Sequence, residues 1–365
     1  MHVLVSLSPH GFGHIVQTAP IVNSLRKRLP TLRLTLRTTT PREFLATRFD
    51  GEFDYIEEAV DFGMRMVDAV EVAASESADA YATLHAHWEE SIHHEAARLH
   101  SIAPNLIIAN APYLTLAAAA TLNIPAIALS SLNWADIYAP YCLNDSRSAA
   151  IVAQMRSAYN SAACFIQTQP SMPMEWLPRR MPVGPVARLG VNRRAEISQQ
   201  LQLRPTERLA VIGLGGIAMR LPVEQWPRNA GIRYIVPSEW QAEHPDCVPI
   251  SALSMPFIDL LTSCDVLITK PGYGSFTEAA CNNVPVLYVS RGDWPEEPYL
   301  VEWLIQQGRC VQVSRRQLET GQLAESIDKV MALPAIQPPQ PYGIEQTVTW
   351  LMQQFADVLR TNQRK

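Results

Sequence analysis

The chain has 365 residues, 47% hydrophobic and 18% charged, which is enough for two compact domains that each bury a core. A formal net charge of −5 gives no general attraction to polyanions, so the composition argues against a nucleic-acid partner. The six cysteines are scattered without a CxxC pair, so the pattern indicates neither a zinc knuckle nor a disulfide framework and favours the cytoplasm.

Membrane insertion is not expected, because no apolar run reaches the roughly 18 residues that a spanning helix needs. The opening "MHVLVSL" is also too short for a signal peptide. The stretch "RKRLPTLRLTLR" (26–37) admits two interpretations: peripheral contact with an acidic membrane surface, or solvation of a helix end and a strand. Charge runs are usually solvated, which favours the second.

The first half of the chain alternates strand-like and helix-like segments. The segments are "HVLVSL", "IVQTAPIVNSLRKRL", "LRLTLRT", "NLIIAN", "TLAAAATLN" and "AIALSS". This alternation predicts βαβ units on a parallel sheet, with a first domain over residues 1–170. Residues 60–100 are mostly helical in pattern and predict an insertion.

Five histidines fall in the predicted helical insertion: His85, His87, His93, His94 and His100. They have no HExxH motif and no second ligand set. We therefore interpret them as surface residues of an amphipathic helix and predict no metal site.

A proline-rich segment, 171–191, predicts a linker, because proline interrupts helices and central strands. The alternation then resumes with "RLAVIGL", "IRYIVPS", "VLITK" and "VPVLYVS", a second domain over 192–340. Residues 341–365 predict a helix that crosses back to the first domain. The expected fold class is α/β, with two Rossmann-like domains facing across a cleft and ligands at the strand ends.

The segment "CDVLITKPGYGSFTEAACNNVPVLYVSRGDWPEEPYL" (264–300) is the most specific in the chain. A buried strand leads into a Gly-rich loop, and Ser275 is predicted to open a helix with Glu278 three residues later. Free N–H groups at a helix start behind small residues suit a phosphate or diphosphate. The same spacing is that of a capping box, so Glu278 is either a ligand contact or a cap.

A dinucleotide-binding alternative comes from "VIGLGGIA" (211–218), which matches GxGxxA after a strand, with Glu239 at the end of the next strand. Pro222 and Pro227 interrupt the helix that should follow at once. The match is therefore a weak signal for NAD.

Segment 264–300 resembles the carboxy-terminal donor domain of GT-B glycosyltransferases, including UDP-sugar transferases and the peptidoglycan N-acetylglucosaminyltransferase. The resemblance implies that the loop and helix start hold the donor diphosphate, Glu278 binds ribose, and Glu296 and Glu297 bind the sugar. Both are acidic where those families more often carry Asp-Gln or Gln-Gln, which leaves the donor sugar open. Uracil is expected near residues 254–259. The donor-binding residues are then Gly215, Gly216, Phe257, Lys270, Gly272, Tyr273, Gly274, Ser275, Glu278, Asp293, Glu296 and Glu297.

A closer resemblance covers nearly the whole chain. The segments "PHGFGH", "SLNWADIYAPY", "KPGYGSFTEA", "RGDWPEEPYL" and "SRRQLETG" are similar to the glycosyltransferase-like domain that precedes the kinase domain in L-arabinokinases. The chain stops before any kinase domain, so we expect a free-standing member of that group.

The resemblance also suggests a catalytic base. In UDP-sugar transferases a histidine after the first strand removes the acceptor proton and an aspartate orients it; the matching positions here are His14 and Asn110. An amide orients the ring but supplies no charge, so His14 should be a weaker base. Alternatively, His14 binds only backbone or phosphate, with His10 and Asp136 as reserve bases. The acceptor-side residues are His10, Gly11, Gly13 and Trp134.

These observations predict a metal-independent glycosyltransferase that uses a nucleotide-diphosphate sugar, with UDP expected, and no other cofactor. Its partners would be small molecules. One alternative is a non-catalytic nucleotide-sugar sensor, or a partner of a sugar kinase. Another is a nucleotide-sugar epimerase or hydrolase of the same fold.

Overall fold

The computed structural model describes residues 1–216, 219–228 and 231–356. The chain divides into two compact units. Unit 1 comprises Met1–Val67, Val72–Val186 and the chain from Tyr342 onward, and unit 2 comprises Asp68–Glu71 and Ala187–Pro341. Each unit is built on one parallel sheet. The predicted α/β fold with two Rossmann-like domains is confirmed.

The sheet of unit 1 has seven strands in the order β3-β2-β1-β4-β5-β6-β7. Every residue of β1, β4 and β5 is buried, as expected for parallel strands covered on both faces. The strands are β1 (His2–Leu7), β2 (Arg33–Arg37), β3 (Asp54–Ile56), β4 (Leu106–Asn110), β5 (Ala126–Ser130), β6 (Phe165–Thr168) and β7 (Arg180–Val183).

The helices of unit 1 follow these strands and close the βαβ units. They are α1 (Gly13–Arg28), α2 (Arg42–Ala46), α3 (Ala74–Ala86), α4 (Trp88–Ile102), α5 (Tyr113–Thr121), α6 (Trp134–Tyr141) and α7 (Ser148–Asn160), and α14 (Tyr342–Gln354) returns from the far end of the chain.

Two expectations for this half of the chain need correction. The helical insertion predicted over residues 60–100 is present from Ala74 onward as α3 and α4, but residues 57–73 contain no helix and include an isolated bridge between Met66 and Val72. The predicted linker, 171–191, contains β7, and the boundary between the units falls after Val186. β7 tolerates Pro182 because it is an edge strand with one neighbour to bond.

Helix α14 belongs to unit 1, where it packs on α1 and β7. Its docking depends on a close approach of two glycines: a Cβ on Gly343 would lie 2.1 Å from the carbonyl oxygen of Gly184. The N–H of Gly343 donates to the Pro185 carbonyl at 3.1 Å, and Gln346 Oε1 accepts from the N–H of Gly184 at 2.7 Å. Only a residue without a side chain fits at position 343.

The sheet of unit 2 has six strands in the order β10-β9-β8-β11-β12-β13. Its strands are β8 (Arg208–Gly213), β9 (Ile232–Val236), β10 (Cys247–Pro249), β11 (Val266–Thr269), β12 (Val286–Val289) and β13 (Cys310–Val313). Its helices are α8 (Arg194–Gln200), α9 (Phe257–Ser263), α10 (Tyr273–Cys281), α11 (Glu297–Gln307), α12 (Arg315–Thr320) and α13 (Ala324–Met331).

The two sheets share one topological feature that positions the candidate site. In unit 1 the strand order reverses between β1 and β4, and Leu7 pairs with Asn110 there. In unit 2 it reverses between β8 and β11, and Gly213 pairs with Thr269. Open α/β sheets bind ligands outside the carboxyl ends of the strands at such points. The loops after these four strands are therefore where ligand-binding and catalytic residues are expected.

Across the described ranges, no helix is long and apolar enough to cross a bilayer. The arginines of segment 26–37 have specific partners in unit 1. Arg33 pairs with Asp54 at 2.8 Å, and the fully buried Arg37 pairs with Glu95. These contacts favour the structural interpretation of this segment over membrane contact.

Candidate functional site

His14 lies in the first turn of α1, directly after the loop that follows β1. Its side chain is only 4% exposed, and its Nδ1 lies 2.8 Å from Oδ1 of Asn110, the last residue of β4. The topological switch point brings the two residues together across 96 positions of sequence. The structure thus places the predicted pair in direct contact.

The hydrogen bonds of Asn110 determine which nitrogen of His14 carries the proton. Its Nδ2 has three acceptors, the carbonyl of His14 at 3.2 Å, Oε1 of Gln17 at 3.1 Å and Oγ1 of Thr18 at 3.0 Å. This fixes the amide orientation, so Oδ1 faces the imidazole and accepts from Nδ1–H. The lone pair of His14 then resides on Nε2, the arrangement that a general base requires.

Burial lowers the pKa of His14 to about 4, because the protonated ring is poorly solvated, and the hydrogen bond that the ring donates to Asn110 offsets this only in part. The imidazole is therefore neutral at physiological pH. It can accept a proton but holds it weakly, since no carboxylate stabilises the charged form. This agrees with a weaker base.

Trp134 is the first residue of α6, and its fully buried ring joins the predicted acceptor-side residues. Its ring centroid lies 5.6 Å from that of His14, and it makes an edge contact with His10 at 5.2 Å. Its indole N–H donates to Oδ2 of Asp61 at 2.6 Å. The loop glycines Gly11 and Gly13 precede this cluster, and Gly11 adopts a φ of +75°.

Asp61 was missed at the sequence level, although it is a buried carboxylate in the loop before α3. Residues 60–100 were predicted to be mostly helical, and an acidic residue on the surface of a helix is ordinary, so Asp61 was not selected as a candidate. A single acid within the apolar "VDFGM" (60–64) was the available signal.

Asp136, a reserve candidate for the base, has a structural role instead. Its Oδ2 accepts from Asn133 Nδ2 and Trp176 Nε1, each at 2.8 Å, and its Oδ1 pairs with Arg156 at 2.9 Å. These three contacts engage both oxygens of the carboxylate and join the start of α6 to Arg156 and Trp176. The structure does not support it as a base.

On the donor side, Lys270 follows β11 and lies beside the loop after β8. A Cβ on Gly215, which has a φ of +86°, would be 3.8 Å from the Lys270 Nζ. Burial lowers the pKa of Lys270 to about 7, and the nearby Arg291 adds to this while Glu296 and Glu297 oppose it. Arg291 is a further buried charge of this cluster that the sequence analysis did not select.

The start of α10 differs from the prediction. Gly272 is the N-cap, and no side chain caps the helix, so Ser275 stands at the third helical position. Ser275 and Glu278 therefore do not form a capping box, and that alternative is wrong. Glu278 is instead buried within the helix, at 2% exposure. The positive end of the α10 dipole therefore lies at Gly272, directly after the loop that follows β11.

Glu296 and Glu297, the acidic pair that follows β12, both accept hydrogen bonds from residues of the loop that precedes them. Glu297 accepts from the Ser290 hydroxyl and from the backbone N–H of Arg291, the latter at 2.7 Å. Glu296 accepts from the indole of Trp294 at 3.3 Å. Their predicted role in binding the sugar stays a prediction.

Two remaining donor-side residues lie at the rim of this region. The Phe257 ring approaches Gly213, whose Cβ would lie 3.7 Å from the ring tip. Asp293 is exposed on the loop after β12, and Gly216 is exposed after β8. Asp259, in the segment expected near uracil, instead ties down the backbone of Val191 and the side chain of Arg193.

The dinucleotide alternative finds little support. Ala218 of the GxGxxA match lies outside the described residues. In the described part of the chain, the segment after it forms only the short 3₁₀ turn Val223–Gln225, and Glu239 lies in another such turn. A dinucleotide site needs a helix that starts directly behind the glycines.

One of the five histidines contradicts the surface interpretation. His85 is buried in unit 1, with Nδ1 2.7 Å from Oε1 of Gln154 and Nε2 2.8 Å from the Tyr113 hydroxyl. The other four are exposed. Among the residues that the structure describes, no group of three or more His, Cys, Asp or Glu is arranged to hold a metal ion.

Two parallel α/β units, each with polar loops at its switch point, define the class: the protein has the GT-B fold of glycosyltransferases. The glycotransferase of kitacinnamycin aligns with a TM-score of 0.61 at 14% identity, over 99% of this chain and 97% of that one. UGT89C1 of Arabidopsis thaliana, solved with UDP, aligns with a TM-score of 0.56 at 15% identity, over 96% and 94%.

A sequence relative points to the group predicted above. L-arabinokinase of Arabidopsis thaliana is 24% identical over 329 residues, which cover 89% of this chain and 31% of that protein. The chain thus spans about a third of the length of this curated relative. No protein-family model matches the chain.

Proposed function

We propose that the protein is a glycosyltransferase that moves a sugar from a nucleotide-diphosphate donor, with UDP as the nucleotide, to a hydroxyl of a small acceptor. One observation carries the proposal: Lys270 lies beside the Gly215 loop and just before the uncapped start of α10, where the strand order of unit 2 reverses. A lysine beside a glycine loop and a helix N-terminus at this point suit a diphosphate. The UDP complex of UGT89C1 supports a uridine nucleotide.

In the proposed reaction, unit 2 holds the donor and unit 1 activates the acceptor. The acceptor oxygen attacks the anomeric carbon, the bond from that carbon to the diphosphate oxygen breaks, and the acceptor proton passes to Nε2 of His14. The α10 dipole and Lys270 stabilise the charge on the departing diphosphate. The proposal includes no metal ion and no cofactor beyond the nucleotide sugar.

A second candidate is a sensor that binds a nucleotide sugar without transferring it. The amide at position 110 and the lowered pKa of His14 favour it, because both weaken the proposed base. A separate sugar-kinase partner has no support from the comparisons.

The test uses purified protein with UDP, TDP, UDP-glucose and UDP-galactose as probes. We expect UDP and at least one UDP-sugar to raise the melting temperature, because ligands that bind only the folded state stabilise it. A transferase then releases UDP only when an acceptor is present. Release without an acceptor indicates a hydrolase or epimerase, and binding without release indicates a sensor. Absence of stabilisation by every nucleotide would contradict the proposal.

A further inference from the structure

Asp61 is a buried carboxylate that the proposed reaction does not use. It is 6% exposed, and its Oδ2 accepts the indole N–H of Trp134 at 2.6 Å. Burial raises its pKa to about 6, while Ser8 and Trp134 act in the opposite direction. Hydrogen bonds to a charged acceptor are shorter and stronger than those to a neutral one. The carboxylate therefore anchors the indole more firmly than an amide would.

Among the described groups that interact with the Asp61 carboxylate, none is a cation. These groups are Ser8, Trp134 and three tyrosines whose pKa values the charge of Asp61 raises: Tyr81, Tyr113 and Tyr159. A buried carboxylate without a cationic partner costs stability, and an asparagine of the same shape would avoid that cost. Packing alone therefore does not explain an aspartate at this position.

Trp134 transmits the position of Asp61 to His10 and His14. Its backbone N–H is held by the Tyr159 hydroxyl at 3.1 Å, and its ring by Asp61. Between these two anchors the ring lies tilted by 59° against His14 and nearly perpendicular, at 77°, to His10. Loss of the Asp61 side chain removes the hydrogen bond that orients the ring at its indole nitrogen.

The loop that carries Asp61 also contacts His10 directly. Gly63 has a φ of +63°, and a Cβ there would lie 2.7 Å from the His10 ring. The Tyr81 hydroxyl donates to the Gly63 carbonyl at 2.7 Å and fixes the loop. One short segment thus positions both histidines, one through an indole and one by contact.

We propose that Asp61 is a positioning residue of the acceptor-side site: through Trp134 it orients the imidazole of His14, and through its loop it places His10. The catalytic consequence rests on the proposed transferase function, whereas the positioning itself does not.

Two variants separate the hydrogen bond from the charge. Asp61→Asn keeps an oxygen that accepts the indole N–H, and Asp61→Ala removes it; Glu52→Gln, an exposed site in the same stretch, is the control. We expect Asp61→Ala to lower kcat about tenfold with the KM for UDP-glucose unchanged, because a small misplacement of the reacting groups is costly. Asp61→Asn should fall between the two, about threefold below the parent protein, because the amide still accepts the indole N–H but more weakly than the carboxylate.

A spectroscopic readout tests the positioning without any turnover. In ¹⁵N-labelled protein the Trp134 indole resonance should titrate near pH 6 in the parent and not in Asp61→Asn, and Asp61→Ala should shift the ring nitrogens of His14. Unshifted His14 and Trp134 resonances in both variants overturn the proposal, as does an effect of Asp61→Ala on KM alone. A parent protein that never releases UDP would refute the transferase function while leaving the resonance test intact.

Discussion

His14 donates its Nδ1 proton to Oδ1 of Asn110 across 2.8 Å, in a hydrogen bond that orients the imidazole without giving it a charged partner. The two N–H groups of Nδ2 in the same amide are shared among three oxygens of α1. An aspartate here would stabilise the protonated ring but could not make those donations. The pair therefore combines a well-oriented base with a low affinity for the proton.

Replacing the proposed base gives the first prediction. His14→Ala should lower the rate of UDP release in the presence of acceptor by about a hundredfold, the usual contribution of a positioned general base. Binding of UDP-glucose by calorimetry should not change, because unit 2 holds the donor. Unchanged turnover would remove His14 from the mechanism.

Replacing the amide should alter the pH dependence. In Asn110→Asp the new carboxylate raises the pKa of His14 from about 4, since an opposite charge favours the protonated ring. The acid limb of the turnover profile should move to higher pH by the same amount. Loss of the Nδ2 donors should lower the free energy of unfolding in urea by about 1–3 kcal/mol. The proper control is the same change in His14→Ala, where no titration should remain to be shifted.

Donor binding should depend on the protonation of Lys270. With a pKa of about 7, the amine loses its charge as pH rises, and an anionic donor prefers the charged form. The affinity for UDP-glucose should therefore fall above pH 7, approaching about tenfold per pH unit. In Lys270→Arg, whose guanidinium stays charged, this decline should disappear. A decline of equal steepness in both proteins would assign the titration to another group.

Glu278 provides a test of the donor site that is separable from folding. Glu278→Ala should weaken UDP binding by about 1–3 kcal/mol, the cost of a lost hydrogen bond to a charged group. The capping alternative predicted lost helix stability instead, but Glu278 lies within α10 and caps nothing. Calorimetry with UDP and urea unfolding measure the two effects. Normal binding in a destabilised variant would leave Glu278 with a purely structural role.

The sequence predicted the elements whose signals are local. Apolar runs marked β1, β4, β8 and β11, because buried parallel strands are hydrophobic on both faces. The short strands β3, β6, β7, β10 and β13 were missed. All of them except β6 are edge strands, and a segment of three or four residues is stabilised by its neighbours and not by its own pattern.

The candidate site shows the same division between local and tertiary signals. The contact of His14 with Asn110 followed from the resemblance. The network around Asp136 did not, because Arg156 and Trp176 come from distant positions. Ser275 and Glu278 have the spacing of a capping box, yet Gly272 starts the helix earlier, a choice that the motif alone does not reveal.

Unit 1 includes both the first strand of the chain and α14, with the whole of unit 2 encoded between them. A ribosome synthesises from the amino terminus, so the six-stranded unit is complete before Gly343 emerges to meet Gly184. Until then the surfaces of α1 and β7 that α14 covers stay open to water and to chaperones. Completion of the unit that carries His14 therefore waits on translation of the unit that carries Lys270.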